Sequence, residues 1–117
     1  MTYKDLLAWQ RADKLALAVY EVTKGFPATE LYGLTSQLRR AALSVPTNIV
    51  EGYARQGDKE LARFINIAIG SLAETEYFLG FAQNLSYISR EKHHEIDGLR
   101  KEVGKLLWKF YEKVRTG

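Results

Sequence analysis

Apolar residues recur along this chain at steps of three and four, and no segment alternates with a period of two for long enough to form a strand. Ala8, Ala12, Leu15, Val19 and Val22 make one series, and Leu34, Leu38, Ala42, Val45 and Ile49 a second. Leu61, Ile65, Ala68, Leu72, Thr75, Leu79 and Ala82 make a third, and Ile96, Leu99, Val103, Leu106 and Phe110 a fourth. That spacing gathers each set onto one stripe of a helix, and such a stripe is stable only when another apolar surface covers it. Without a sheet, the four stripes must cover one another. Breakers fall between them: Gly25 and Gly57 read as helix stops, Pro27 lies just past the first, and Asp58 and Ser89 read as N-caps. The helices are predicted over 5–24, 33–55, 59–85 and 90–115. Short connections make sequential neighbours antiparallel, so the expected fold is all-α, an antiparallel up-down-up-down four-helix bundle in a single domain over 1–117.

A chain of 117 residues, 46% of them hydrophobic, can bury a core without metal or disulfide staples. The absence of cysteine excludes thiolate catalysis, disulfides and cysteine-bound zinc, and fits a reducing compartment. The N-terminal run MTYKDLLAWQRADK mixes charge with apolar residues, unlike a signal peptide. No apolar run approaches the roughly 18 residues of a membrane span. A cytoplasmic protein without membrane contact is expected. Seventeen Lys and Arg against 14 Asp and Glu leave +3, a balance that permits nucleic-acid binding without requiring it.

The stretch SVPTNIVEGYAR, residues 44–55, interrupts this pattern. Pro46 leaves the Ala42 carbonyl without its helical donor, at a cost of roughly 3 kcal/mol in a helix interior. Gln37, Ala41, Ser44, Asn48, Glu51 and Arg55 form a second line on the same predicted helix, small and polar where a solvent face would carry Lys, Glu and Gln. Gly52, Gly70 and Gly80 also sit inside predicted helices, each costing about 1 kcal/mol relative to Ala unless a close approach requires it. The line therefore reads as a second buried face used by a partner subunit. Asn48 and Glu51 are expected to hydrogen-bond across a helix or subunit contact, with Gly52 admitting the neighbour.

Glu74 and Glu76 do not form a catalytic pair, because residues two apart on a helix project about 200° apart; ion pairs with Arg39 or Arg40 are expected instead. Glu91 and His94 make a lone Glu-x-x-His match, and two histidines in the chain are too few for a carboxylate di-iron centre. No nucleophilic triad or phosphate loop is present, so no catalytic residue, metal or cofactor is assigned. A composite site remains conceivable only where Glu51, Glu74 and His94 of different chains converge. Lys101, Lys105, Lys109 and Lys113 form an i, i+4 ridge joined by Arg100 and Arg115, and residues 98–117 hold six basic and two acidic residues. Arg39 with Arg40, and Arg55 with Lys59 and Arg63, add basic groups elsewhere. These are the candidate nucleic-acid contacts. Trp9, Tyr20, Phe64, Tyr77, Phe78, Phe81, Trp108, Phe110 and Tyr111 are expected in core or interface packing.

The runs DLLAWQRADKLALAVYEVTKGFP, LTSQLRRAALSVPTNIVEGYAR and FINIAIGSLAETEYFLGFAQNLSYI resemble the four-helix-bundle family labelled 23S rRNA intervening-sequence protein. The resemblance rests on Trp9 and Gln10, Gln37 to Arg40, the Ser-x-Pro-x-Asn-Ile run, Glu51 with Gly52, and Gly70-Ser71 followed by Glu74. It implies a small all-α protein assembling as a ring, commonly a homopentamer, with no established enzymatic activity. The label reflects genes lying in insertions within large-subunit rRNA genes, and a related bundle serves retroelements as a basic pentameric barrel that engages reverse transcriptase and nucleic acid. The expected function is therefore a non-catalytic oligomeric bundle binding RNA or a nucleoprotein through basic residues. The alternative is a purely structural or protein-interaction module without nucleic-acid binding.

Overall fold

The chain begins with a capping box: the Thr2 hydroxyl accepts from the Lys4 amide, and the Asp5 carboxylate accepts from the Thr2 amide at 2.8 Å. This closes a short 3-10 turn over Tyr3–Asp5, so the first α-helix begins at Leu7 and not at residue 5. The computed structural model describes residues 1–116, and Gly117, the last residue of the expected domain, lies outside the described residues. Four α-helices follow: α1 Leu7–Thr23, α2 Leu34–Ala54, α3 Asp58–Asn84 and α4 Arg90–Thr116. No strand occurs among the described residues.

The connections follow from local chemistry. Gly57 adopts φ +87°, a conformation that a side chain would strain, which allows a tight turn between α2 and α3. Asp58, expected as the N-cap, is instead the first residue of α3 and places its carboxylate in the positive first turn. Ser89 does cap α4, its hydroxyl accepting from the Lys92 amide at 3.1 Å. Between α1 and α2, Phe26 turns inward and packs on Tyr87 with ring centroids 5.5 Å apart, while the Tyr87 hydroxyl donates to Glu30 at 2.9 Å. The α1–α2 and α3–α4 connections thus plug the same end of the bundle.

Side-chain pairing gives the register. Ser44 meets Ser71 and Gly52 meets Phe64 across α2 and α3, while Glu76 meets Arg100 and Leu72 faces Gly104 across α3 and α4. Arg39 reaches Thr23 and Tyr53 reaches Met1, so α1 and α2 also run in opposite directions. Each helix packs on two neighbours, and no Cα atoms of the diagonal pairs α1–α3 and α2–α4 approach within 8 Å. This is the expected antiparallel up-down-up-down arrangement. Its core holds Leu15, Val19, Leu38, Val45, Ile49, Ile65, Leu79, Val103 and Leu107, none of them exposed.

The α4 stripe differs from the expected one. Ile96, Val103, Leu107 and Val114 are buried, whereas Leu99, Leu106 and Phe110 flank the core half-buried. The buried set spans five turns at about 3.6 residues each, while the expected set ran nearer 3.5 and drifted sideways. Pro46 is buried within α2, which continues through it without interruption. The Thr47 hydroxyl donates to the Leu43 carbonyl at 2.7 Å and the Asn48 amide to the Ser44 carbonyl at 2.8 Å, adding side-chain bonds to the turn that proline weakens. No helix among the described residues is long and apolar enough to cross a membrane.

Candidate functional site

The polar line on α2 divides into a closed middle and two open ends. Asn48 donates to the Ser44 carbonyl at 2.8 Å and to the Ser44 hydroxyl at 2.9 Å, both on its own helix. Ser44, not Asn48, makes the crossing: its hydroxyl lies 2.8 Å from that of Ser71 on α3. Thr75, wholly buried, donates to the Ser71 carbonyl at 2.9 Å, a bond within α3 one turn from the hydroxyl contact. Gly52 admits a close neighbour as expected, but within the chain: a Cβ there would lie 2.8 Å from the Phe64 Cβ. Among the described residues Glu51 makes no bond to another helix of its own chain; it is exposed and pairs with Arg55 at 2.9 Å. Above the hydroxyl contact, Gln37, Arg40, Ala41, Ser44, Ser71 and Glu74 line an open groove of about 170 Å³.

The outer face of α2 and α3 is unusually apolar. A second groove of about 310 Å³ opens between Glu30, Leu34, Gln37, Tyr77, Phe78 and Phe81. Tyr77 is 64% exposed and Phe81 44%, and Ile67 is exposed as well. The two aromatic rings touch, with centroids 6.1 Å apart. Gly70 is exposed on the same helix, with nothing within 4 Å of a Cβ placed there. Gly70 and Gly80 therefore admit no close neighbour from their own chain.

The basic candidates separate by their surroundings. Arg39 is half-buried, donating to the Thr23 hydroxyl at 2.7 Å with its guanidinium 4.9 Å from the Tyr20 ring centroid, so it serves the α1–α2 contact. Arg55 and Arg63 lie over the Phe64 ring at 5.1 and 4.4 Å and are held by Glu51 and Glu60. The Arg63 hydrogen bond is the main reason the exposed Glu60 carboxyl sits below its ordinary pKa, with Arg55 and Lys59 adding to the effect. Carboxylates thus offset most of this cluster. On α4, Arg100 turns inward between Asp97 at 2.7 Å and Glu76 at 3.1 Å and leaves the ridge. It is also the partner of Glu76, in place of the expected Arg39 or Arg40. Arg115 pairs with Glu112 at 3.4 Å. Lys101, Lys105, Lys109 and Lys113 are all exposed, and the last three have no ion-pair partner among the described residues.

The aromatic residues divide likewise. Phe64 is buried and Trp9, Phe78, Phe110 and Tyr111 half-buried, but Tyr20, Tyr77, Phe81 and Trp108 are exposed. Trp108 was foreseeable from spacing: Leu107 falls on the line of Ile96 and Val103, which rotates its neighbour about 100° away. Ser71 was harder to find, because a small residue beside a seam carries little signal. No group of three acidic or histidine side chains able to hold a metal occurs among the described residues. Glu51 lies near the end of α2, Glu74 beside the α2–α3 groove and His94 on the exposed surface of α4.

Residues 4–109 match the model of the family described as 23S rRNA-intervening sequence protein. Among solved structures, the chain is similar to a protein of unknown function from the S23 ribosomal protein family of Bacteroides thetaiotaomicron. The two share 24% identity and a TM-score of 0.80 over 90% of this chain and 98% of that one, a likeness of fold. No curated protein matches the sequence.

Proposed function

The chain belongs to the 23S rRNA-intervening sequence protein family, and from that premise we propose a non-catalytic, homo-oligomeric bundle that binds RNA through α4. The observation that carries the reading is the division of its surface. The outer α2–α3 face offers Ile67, Tyr77 and Phe81 to water, an arrangement that burial against a second copy relieves at about 25 cal/mol per Å². Gly70 lets a neighbouring backbone approach, and Gln37, Arg40 and Glu74 supply polar contacts at the rim. The family resemblance makes five copies the expected number.

α4 meets α3 through Arg100 and Gly104 and lies diagonal to α2, and its exposed lysines project from other sides of the helix, so assembly on the outer α2–α3 face leaves them free. Repeated around a ring, four cations per copy become a multivalent surface for a phosphate backbone. Sedimentation of wild type and of the Tyr77→Glu, Phe81→Glu double variant tests the assembly, with a fall to monomer mass expected for the variant. A salt titration of RNA binding tests the contact. A single strand neutralising four lysines has a slope of about −2.8 in log K against log salt. The pairing of Arg55 with Glu51 and of Arg63 with Glu60 favours a second reading, a structural module without nucleic acid; binding that is absent, or indifferent to salt, selects it.

A further inference from the structure

We propose that Trp108 is a base-stacking platform for single-stranded nucleic acid, set among the α4 lysines. This rests on the reading that α4 meets a phosphate backbone, and it specifies the form of the strand.

Trp108 is 56% exposed, although Leu107 beside it is wholly buried. The indole leans on the Tyr111 ring, with centroids 5.8 Å apart and planes inclined 32°, and the Arg115 guanidinium lies 5.8 Å from the Tyr111 centroid. The side chain is thus held by its own helix while over half of it stays open to a planar ligand. Lys105 precedes it by one turn and Lys101 by two. The two carboxylates of this half of α4 are occupied, Glu102 by Arg11 at 3.2 Å and Glu112 by Arg115 at 3.4 Å. The lysines of the ridge recur every four residues, about 6 Å along the axis, so a backbone following it meets a cation at each step. An exposed ring between unpaired cations is the chemistry by which sequence-tolerant proteins hold a single strand, and a duplex hides the base faces such a ring needs.

A lipid surface fits less well. The other apolar side chains of α4 are buried or half-buried against the core, so among the described residues of this helix Trp108 is the one exposed apolar side chain to enter a bilayer.

The test measures binding of labelled oligo(U), oligo(dT) and a duplex of equal length to the full chain at low salt. Wild type is compared with Trp108→Ala, Trp108→Phe and Lys105→Ala. Trp108→Ala is expected to weaken both single strands about 5- to 150-fold, to change duplex binding less than about twofold, and to leave the salt slope unaltered. Trp108→Phe should keep most of the affinity, and Lys105→Ala should make the slope shallower. Single-strand affinity unchanged in Trp108→Ala while Lys105→Ala weakens binding overturns the stacking role alone. An equal loss on single strand and duplex, a changed oligomer mass in Trp108→Ala, or a Trp108 emission shift with anionic vesicles and none with oligonucleotide also overturns it. Wild type that binds no oligonucleotide overturns the nucleic-acid reading itself, and this inference with it.

Discussion

Replacing Gly52 with Ala should destabilise the bundle, although the same change in an open helix stabilises one. The new Cβ would lie 2.8 Å from the Phe64 Cβ and 3.2 Å from a Leu61 methyl. The methyl can swing aside. The Phe64 Cβ is fixed to the α3 backbone, so α2 and α3 must part by about 0.6 Å to restore an ordinary carbon contact of roughly 3.4 Å or more. Overpacking of this kind costs about 1–3 kcal/mol, while Ala gains about 1 kcal/mol over Gly in helix propensity. The net expectation is a loss of about 1 kcal/mol, roughly 4 °C in Tm for a chain of this size. Gly98 is the control, a helical glycine with nothing within 4 Å of its Cβ position. There Ala should raise Tm by up to about 4 °C. Urea and thermal unfolding by circular dichroism at one protein concentration provide the comparison. If Gly52→Ala proves as stable as wild type, or matches Gly98→Ala, the close helix approach does not explain the glycine.

Arg100→Ala should cost about 1–2 kcal/mol, because only 15% of this side chain is exposed and it serves Asp97 and Glu76 together; Lys24→Ala, which breaks an open pair with Glu21, should cost under about 0.5 kcal/mol. Asn48→Leu should lower protomer stability by about 1 kcal/mol and leave the sedimenting mass unchanged, since both its bonds stay on α2; dissociation of the oligomer would restore it to a subunit contact. The hydrogen bond to Glu30 raises the Tyr87 pKa above its ordinary value of 10.0. Its stabilising contribution is complete below the unfolded value and lost as pH rises through the folded one, so Tyr87→Phe should flatten the alkaline fall of a stability profile above about pH 10. An alkaline limb as steep as wild type's would contradict that.

Helix number and order were legible because apolar periodicity is a one-dimensional signal, and the buried stripes of α1, α2 and α3 follow the expected residues closely. On α4 the neighbouring apolar residues Leu106, Leu107 and Trp108 left the stripe ambiguous by one position. That single step exchanged Leu106 for Leu107 in the core, and either stripe leaves the Trp108 indole outside it. The polar line on α2 was visible as a departure from ordinary surface composition, but its partner was not. Ser71 is one hydroxyl among many until α3 is set beside α2 in register.

Charge shows the same division. The sequence by itself determined an all-helical chain, its breaks, a lysine ridge and the glycines that need a reason, because each depends on residues within a turn or two of one another. Only the tertiary structure decided that Gly52 serves the α2–α3 contact, that Arg39 and Arg100 turn inward, and that Lys105, Lys109 and Lys113 have no ion-pair partner among the described residues. Those outcomes depend on which side chains stand opposite across helices separated by tens of residues, and spacing along one helix carries no record of its neighbour.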